Sequence, residues 1–297
     1  MAETTPGRRR GGSLHELLDR LAMAWEDRVA RPPAPFRPGP EAPVDPAGPL
    51  PPPPPLRIHP ARGRRAGTVV LVPPWKIRST AVLAGWVRAL RAAGLETWVA
   101  VPPFHLERTP RGERPGEGSI SPDLAATGAA LSQAVGEVRA AVALARRDGT
   151  PVGLCGLSLG ALVAAWAACG PEPVEAAALV APPADLLAVF RETAIGRRYA
   201  ALAERAGAPV PPPDRLGPLL AGLSPLDRRP SGVRVLVVAG AHDRVAPGGG
   251  AALARAWGLP LRLLPRGHLS LLLGTPGIRR EVAAFLSATS SPPAARP

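Results

Sequence analysis

Short apolar segments alternate with longer segments of helical periodicity along most of this 297-residue chain. The apolar segments lie at 68–72, 96–101, 152–155, 176–180, 233–240 and 261–264. The first of them is a nearly continuous run of β-branched and apolar residues, which indicates a strand covered on both faces. Apolar residues at helical spacing predict helices at 82–90, 124–147, 159–169, 251–257 and 278–286. The alternation predicts an α/β fold, with a mostly parallel central sheet flanked by helices.

Composition divides the chain into three predicted parts. Residues 1–56 contain an amphipathic helix and then a proline-rich linker, because proline disfavours helix interiors and sheet ladders. Residues 57–287 form the predicted folded domain. Within it, residues from about 182 to 230 interrupt the alternation with short apolar helical fragments, which we interpret as a small helical lid. Residues 288–297 form a predicted flexible tail.

The predicted N-terminal helix is amphipathic. Leu14, Leu17, Leu18 and Leu21 recur at helical spacing, and Ser13 is its predicted N-cap. Two interpretations stay open. The helix packs against the folded domain, or the segment 13–31, which basic residues flank, makes a peripheral contact with a membrane or a protein partner.

Charge and cysteine content narrow the expected partners. The net charge is +13, but the basic residues are scattered arginines, with Lys76 as the only lysine, and aromatic rings for base stacking are few. We therefore expect no nucleic-acid partner. The two cysteines, Cys155 and Cys169, form neither a disulfide framework nor a metal motif, which favours a reducing, cytoplasmic location.

One uncharged stretch, residues 153–170, has the length of a membrane span. It contains a Gly-Ser-Gly turn, however, and lies among alternating strand and helix patterns. A buried strand, turn and helix explains it better, so we expect no transmembrane segment.

The turn in that stretch carries the first chemical motif. Gly156-Leu157-Ser158-Leu159-Gly160 fits the Gly-x-Ser-x-Gly nucleophile elbow, in which a serine lies at a sharp turn between a strand and a helix. Glycine tolerates the crowded backbone of such a turn. Taken alone, Ser158 also fits an ordinary turn serine.

A serine nucleophile needs a histidine base and a carboxylate that orients it. Asp243 follows the predicted strand that ends at Gly240, and His268 follows the strand that ends at Leu264. Taken singly, Asp243 fits a helix N-cap and His268 a structural histidine, but together, after separate strands, they favour a triad with Ser158. Asp185, after the strand 176–180, is an alternative acid.

These motifs resemble the α/β-hydrolase superfamily over about residues 57–287. The matching pieces are Gly-Leu-Ser-Leu-Gly at the elbow, Gly-Ala-His-Asp-Arg-Val-Ala-Pro around Asp243, and Gly-His-Leu at His268. The segment Pro-Phe-His-Leu-Glu-Arg-Thr-Pro at 103–110 is similar to the abhydrolase-domain-18-like branch. The resemblance implies an α/β-hydrolase fold in which Ser158 attacks an acyl carbon, His268 transfers the proton and Asp243 sets the His268 tautomer.

A hydrolase of this type also needs two N–H groups for the oxyanion. Leu159 is the predicted first donor. The loop after the strand 68–72 reads Pro73-Pro74-Trp75-Lys76, and since proline cannot donate, the second N–H belongs to Trp75 or Lys76, of which we favour Trp75.

Three more side chains are candidates for the substrate pocket: His105, Lys76 and Asp185. A structural role for His105, holding the long segment that contains it, is an equal alternative.

The predicted function is a serine hydrolase, lipase-like, that cleaves the carboxylic ester of a small-molecule acyl substrate, with a slight preference for an apolar acyl group. No cofactor and no metal are expected, because dinucleotide, phosphate-loop and His-Glu-x-x-His motifs are missing. The alternatives on the same triad are a thioesterase, an amidase or peptidase, and an acyltransferase. A catalytically silent scaffold, which binds a partner or membrane through its N-terminal arm, is the alternative of another class.

Overall fold

A seven-stranded sheet forms the centre of the described part of the chain, which in this computed structural model comprises residues 14–27, 44–121, 123–205 and 210–288. The strands, in spatial order, are β1 (Leu56–His59), β3 (Leu95–Ala100), β2 (Gly67–Val72), β4 (Val152–Leu157), β5 (Ala176–Val180), β6 (Arg234–Gly240) and β7 (Leu261–Leu264). Strands β2 to β7 are parallel, and β1 pairs antiparallel with β3 at one edge.

Helices cover both faces of this sheet. The helices of the described residues are α1 (Leu14–Asp27), α2 (Ala84–Ala92), α3 (Leu124–Ala145), α4 (Leu159–Ala168), α5 (Leu186–Glu192), α6 (Ala194–Arg205), α7 (Pro213–Ala221), α8 (Gly249–Trp257), α9 (His268–Leu273) and α10 (Pro276–Ser287). Helices α3, α4 and α8 contribute to the core on one face, and α2 and α10 to the core on the other. The architecture confirms the predicted α/β fold class.

The two-sided burial explains why the strands look uniformly apolar in the sequence. In β2, Val70 and Val72 belong to the core with α3 and α4, whereas Val69 and Leu71 belong to the core with α2 and α10. All four side chains are buried. Successive residues of a strand point to opposite faces, so a strand covered twice has no polar positions to alternate with apolar ones.

The parallel register places the ends of several strands at one edge of the sheet. Val72 pairs with Gly156, and the last residue of β6, Gly240, pairs with the last residue of β7, Leu264. The loops that follow β2, β4, β6 and β7 therefore leave the sheet at the same edge. This edge carries every residue of the predicted triad.

The predicted lid consists of α5, α6 and α7, which lie between β5 and β6 in the chain. Helix α5 packs against both α6 and α7. Their apolar side chains belong to the same core cluster as those of α3 and α4, and several of them line the cavity that contains Ser158.

Packing begins earlier in the chain than the predicted boundary at residues 56 and 57. Val44 is buried, and its N–H donates to the Gly222 carbonyl oxygen at 3.0 Å. The Arg139 guanidinium donates to the Gly48 carbonyl oxygen at 2.7 Å. Residues 44–55 thus pack on the domain, with a turn at 46–48 and no strand or helix, which suits a proline-rich segment without sheet partners. Residues 28–43 of the predicted linker and 289–297 of the predicted tail lie outside the described residues.

Helix α1 packs against α6 and α9. Leu14, Leu17, Leu18 and Leu21 are all exposed, whereas Asp19 is buried. The predicted cap Ser13 lies outside the described residues, and a peripheral contact of the segment 13–31 stays a prediction. Among the described residues, no helix combines the length and apolar composition that a membrane span requires.

Candidate active site

Ser158 lies at the sharp turn between β4 and α4, with a φ of 54° and a ψ of −120°. A Cβ atom on Gly156 would overlap the backbone of Ala161, and one on Gly160 would overlap the carbonyl oxygen of Val72. Glycine at these two positions therefore allows the strand and the helix to approach closely while the serine keeps its strained backbone.

The structure brings Ser158, His268 and Asp243 into one line of hydrogen bonds. The Ser158 Oγ lies 2.8 Å from His268 Nε2, and His268 Nδ1 lies 2.7 Å from Asp243 Oδ2. The other carboxylate oxygen of Asp243 accepts the N–H groups of Val245 at 2.9 Å and Ala246 at 2.7 Å. Because a carboxylate can only accept, it places the imidazole proton on Nδ1 and leaves Nε2 free to accept from the serine hydroxyl.

Burial and charge act in opposite directions on this pair. Burial lowers the pKa of His268, but the charge and hydrogen bond of Asp243, with the charge of Asp19, raise it above the ordinary histidine value. Burial raises the pKa of Asp243, but the charge and hydrogen bond of His268, with the Ala246 and Val245 N–H groups, hold it below its usual range. The site therefore stabilises an imidazolium beside a carboxylate, the charge state that forms when His268 takes a proton.

The loop after β2, residues 73–76, is held by a buried histidine. The Lys76 N–H donates to His105 Nε2 at 3.0 Å, and the His105 Nδ1–H donates to the Pro103 carbonyl oxygen at 2.7 Å. Burial, with the charge of Arg108, lowers the pKa of His105 below its ordinary value even though the Pro103 bond opposes this. The neutral ring can thus accept on one nitrogen while it donates on the other.

The two predicted oxyanion donors flank Ser158. Trp75 and Leu159 both line the cavity that contains Ser158. Leu159 is the first residue of α4, so its N–H has no acceptor within the helix. The Trp75 indole donates to the Gly116 carbonyl oxygen at 2.7 Å, which fixes the loop. The Lys76 N–H, the alternative second donor, is already bonded to His105.

An apolar cavity opens at Ser158. The volume of this cavity that the centre of a water molecule can occupy is about 110 Å³. The cavity lies between α3, the lid and the loop after β2. Lid residues Leu186, Phe190 and Ile195 form one wall, and Leu124 of α3 contributes to another. Among the described residues that line it, none carries a charged side chain.

The polar side chains of the cavity are bonded to the protein. The Tyr199 hydroxyl donates to the Ile120 carbonyl oxygen at 2.9 Å, and the Thr127 hydroxyl donates to the Ser121 carbonyl oxygen at 3.1 Å. A ligand in the cavity therefore meets mostly apolar surface, with polar contacts concentrated at Ser158.

The other predicted pocket residues lie at its margins or elsewhere. Asp185 caps α5 by accepting the Ala188 N–H at 2.9 Å. The Lys76 ammonium lies 4.2 Å from the centre of the Trp75 ring. In the described part of the chain, neither Asp185 nor Lys76 lines the cavity at Ser158, and His105 lines a separate cavity of about 20 Å³ beneath α4.

No arrangement of three His, Cys, Asp or Glu side chains suited to a metal ion occurs among the described residues. Cys155, on β4, is fully buried, and burial raises the pKa of its thiol to about 12. It packs as a small apolar residue behind the elbow.

This protein is similar to known proteins in its fold but not detectably in its sequence. No protein-family model matches the sequence, and no curated protein matches it. Solved structures do match. TT1662 from Thermus thermophilus is 20% identical, with a TM-score of 0.56, over 80% of this chain and 94% of that one. A monoacylglycerol lipase from Paleococcus ferrophilus is 18% identical, with a TM-score of 0.52, over 79% of this chain and 99% of that one.

A third match is Est1E from Butyrivibrio proteoclasticus, solved with ferulic acid, which is 13% identical with a TM-score of 0.51 over 78% of this chain and 95% of that one. The chain has the α/β-hydrolase fold. This confirms the predicted fold, and membership of the superfamily stays a prediction. The similarity to the abhydrolase-domain-18-like branch stays a prediction.

Within this α/β-hydrolase fold, one contact at the site has no counterpart in the sequence motifs. Asp19 of α1 accepts the backbone N–H of His268 at 2.8 Å. It lies 249 residues away in the chain, in a segment that the sequence predicted only as an amphipathic helix. Acidic residues between leucines are a usual feature of such a helix, and Asp19 is one of several acidic residues in α1, so no sequence signal distinguished it.

Proposed function

We propose that this protein is a serine hydrolase that cleaves a carboxylic ester through an acyl-enzyme. Ser158 is the nucleophile, His268 the general base and acid, and Asp243 the carboxylate that orients His268. The observation that carries the proposal is the pair of hydrogen bonds, 2.8 Å from Ser158 Oγ to His268 Nε2 and 2.7 Å from His268 Nδ1 to Asp243 Oδ2.

The reaction follows from these positions. Ser158 Oγ attacks the ester carbonyl carbon while its proton passes to His268 Nε2. The bond from that carbon to the alcohol oxygen then breaks, and His268 returns the proton to the leaving oxygen. A water molecule repeats the attack on the acyl-Ser158 ester, again giving a proton to His268, and the carboxylic acid leaves as Ser158 regains its hydrogen.

Two backbone N–H groups, those of Leu159 and Trp75, stabilise the negative oxygen of the tetrahedral intermediates in this proposal. The position of Leu159 at the start of α4 supports its role, because the positive end of the helix dipole adds to its N–H. The bond of the Lys76 N–H to His105 supports Trp75 as the second donor.

The cavity supports an apolar acyl group as the substrate. Burial of each methylene in such a site contributes about 0.8 kcal/mol, so a chain of several carbons would bind by its apolar surface alone. The absence of charged side chains among its described lining residues disfavours anionic or cationic acyl groups.

A fluorophosphonate probe tests the nucleophile. We expect rapid labelling of the protein and of the control variant Ser287→Ala, which removes a serine at the end of α10. Ser158→Ala should not be labelled. Labelling that persists in Ser158→Ala, or a folded wild-type protein that does not react, would contradict the proposal.

A panel of substrates tests the reaction class. Thioesters, amides and acyl transfer to a second alcohol share the first step with ester cleavage. We expect the highest kcat/KM for esters of uncharged acyl groups, with kcat/KM rising as the chain lengthens until the cavity is filled. A higher kcat/KM for thioesters or amides of the same acyl group would replace the ester assignment.

A further inference from the structure

The N-terminal helix α1 places a buried carboxylate against the loop that carries His268. The Asp19 side chain has no exposed surface. Its Oδ2 accepts the His268 N–H at 2.8 Å, and its Oδ1 accepts the Leu269 N–H at 3.0 Å. Oδ2 also accepts the Arg244 N–H at 3.2 Å. One side chain thus bonds the backbone of two separate loops.

Asp19 caps the free N–H groups at the start of α9, which the residue before the helix cannot do. His268 and Leu269 begin α9, where free N–H groups are usually capped by the side chain of the preceding residue. That residue is Gly267, which has no side chain. A Cβ atom there would stand 2.8 Å from Asp19 Oδ2, so glycine also leaves the space that the carboxylate occupies.

The second loop is the one that carries the acid. Arg244 follows Asp243 directly in the chain, so Asp19 is bonded to the residue beside the acid and to the base itself. The separation of these two loops determines whether Asp243 Oδ2 reaches His268 Nδ1. A shift of about 1 Å in such an arrangement can cost a hundredfold in rate.

We propose that Asp19 is a positioning residue of the active site, which aligns His268 with Asp243 by bonding the backbone of both loops. The inference rests on the proposed function, since it assigns Asp19 to the reaction that Ser158, His268 and Asp243 perform. It makes α1 a part of the active site, although α1 lies outside the predicted hydrolase domain.

The carboxylate also acts through its charge. Burial lowers the pKa of His268, while Asp243 and then Asp19 raise it. The neighbouring charged side chains are engaged with one another: Glu16 pairs with Arg244 at 2.9 Å, and His242 lies 3.9 Å from Glu16. The titratable and charged residues in the sequence of the three packed segments are His15, Glu16, Asp19, Arg20, Glu26 and Asp27 on α1, His242, Asp243 and Arg244 on the acid loop, and Arg266 and His268 on the base loop.

Glu16 provides a matched control on the same helix. It bonds the Arg244 guanidinium and not the backbone of the base loop. Glu16→Gln removes one carboxylate charge but keeps an acceptor oxygen for the Arg244 guanidinium, whereas Asp19→Asn removes one charge and also replaces an acceptor oxygen by an NH₂ group that faces N–H donors.

The experiment compares the full-length wild-type protein, Asp19→Asn and Glu16→Gln. The rate of fluorophosphonate labelling, the values of kcat and KM for one ester, and the pH profile of kcat/KM are measured. For Asp19→Asn we expect labelling and kcat to fall about 10- to 100-fold with KM changed by less than about threefold. The acidic limb of its pH profile should move to lower pH, because a negative charge near the imidazole is lost. Glu16→Gln should stay near wild type in all four measurements.

Several results would overturn the inference. One is a folded Asp19→Asn with wild-type labelling and an unchanged pH profile. Another is an equal loss in both variants without a shift of the acidic limb, which would reduce Asp19 to a docking contact. If Asp19→Asn does not fold, Asp19→Ser, which keeps one acceptor in a smaller side chain, is compared with the wild-type protein and Glu16→Gln by the same measurements.

A measurement without turnover separates this inference from the proposed function. The pKa of the His268 ring is followed by NMR in the wild-type protein and in Asp19→Asn, with His268→Gln to assign its signal among the five histidines. A wild-type protein that does not react with the fluorophosphonate would contradict the serine-hydrolase proposal. An unchanged His268 pKa in Asp19→Asn would instead contradict the role of Asp19.

Discussion

The imidazole of His105 accepts the backbone N–H of Lys76 at 3.0 Å and so joins the segment after β3 to the loop after β2. Its other nitrogen bonds the Pro103 carbonyl oxygen, which fixes the ring from behind. Trp75, the proposed second oxyanion donor, lies next to Lys76 in that loop. His105 therefore acts on the site through the backbone, and it does not line the cavity at Ser158.

Replacing His105 by alanine should impair catalysis more than binding. The Pro103 carbonyl would keep the Ser119 hydroxyl, which donates to it at 3.1 Å, but the Lys76 N–H would lose its buried acceptor, at a cost of about 1–3 kcal/mol in stability. We expect kcat to fall about 10- to 100-fold through displacement of Trp75, with a smaller change in KM. Steady-state kinetics with thermal unfolding measure both effects.

His59→Ala, on the edge strand β1, is the control, since His59 is away from the loop after β2. A His105→Ala variant that loses stability but keeps the wild-type kcat would show that the histidine only supports its own segment.

Asp243 and Asp185 can be told apart by paired substitutions. Asp243→Asn should lower kcat by about 10⁴-fold, because the amide no longer selects the imidazole tautomer that accepts from Ser158. Asp185→Asn should leave kcat near wild type, since asparagine caps a helix about as well as aspartate does. Kinetics of the two variants on one ester are sufficient. A larger loss in Asp185→Asn would transfer the role of the acid to Asp185.

The pH dependence follows from the sign of the His268 shift. The pKa of His268 lies above its ordinary value of about 6.5, and only the neutral ring can take the proton of Ser158. We expect kcat/KM to be low in acid and to rise with pH through an apparent pKa above about 6.5. A pH profile across the neutral range measures this value. A midpoint clearly below the ordinary histidine pKa would show that burial outweighs the carboxylates.

The glycines beside Ser158 should not tolerate substitution by alanine. At Gly160 a Cβ atom would overlap the carbonyl oxygens of Val72 and Pro73, both rigid backbone atoms. We expect Gly160→Ala to lose about 1–3 kcal/mol of stability from overpacking and to react far more slowly with a fluorophosphonate. Gly277→Ala in α10, where the nearest atom to a Cβ would be Thr275 Oγ1 at 3.8 Å, should be neutral or stabilising. Unfolding curves and labelling rates of the two variants are compared. Equal behaviour of the two would contradict the close approach.

The strands predicted from the sequence are those whose burial in the sheet requires a short run of apolar residues. The bounds predicted for β5 and β7 agree with the structure, and those of β2 and β6 differ by one residue at one end. Strand β1 was missed because its four residues form a half-exposed edge, with Arg57 among them, and lack a continuous apolar run. Helix α9 was missed because six residues are too few for a helical period.

Residues of the candidate site were likewise predictable where a local motif marked them and not where a contact joins distant segments. Local motifs predicted Ser158, Asp243 and His268, because each follows a strand and the order of the three is informative, and the structure places His268 within hydrogen-bond distance of the other two side chains. His105 was noted only as a pocket or structural residue, since its bond to Lys76 joins segments 29 residues apart. Asp19 carried no signal at all.

The sequence by itself determined the apolar segments that must be buried on two faces, the glycines that allow the turn at Ser158, and the order of the serine, acid and base. These properties depend on the residue and its near neighbours, so they can be predicted from the chain alone. The tertiary structure decided which nitrogen of His105 receives the Lys76 N–H and that Asp19 closes the gap left by Gly267. Both depend on the packing of distant segments to within an ångström, and that distance is set by the whole fold.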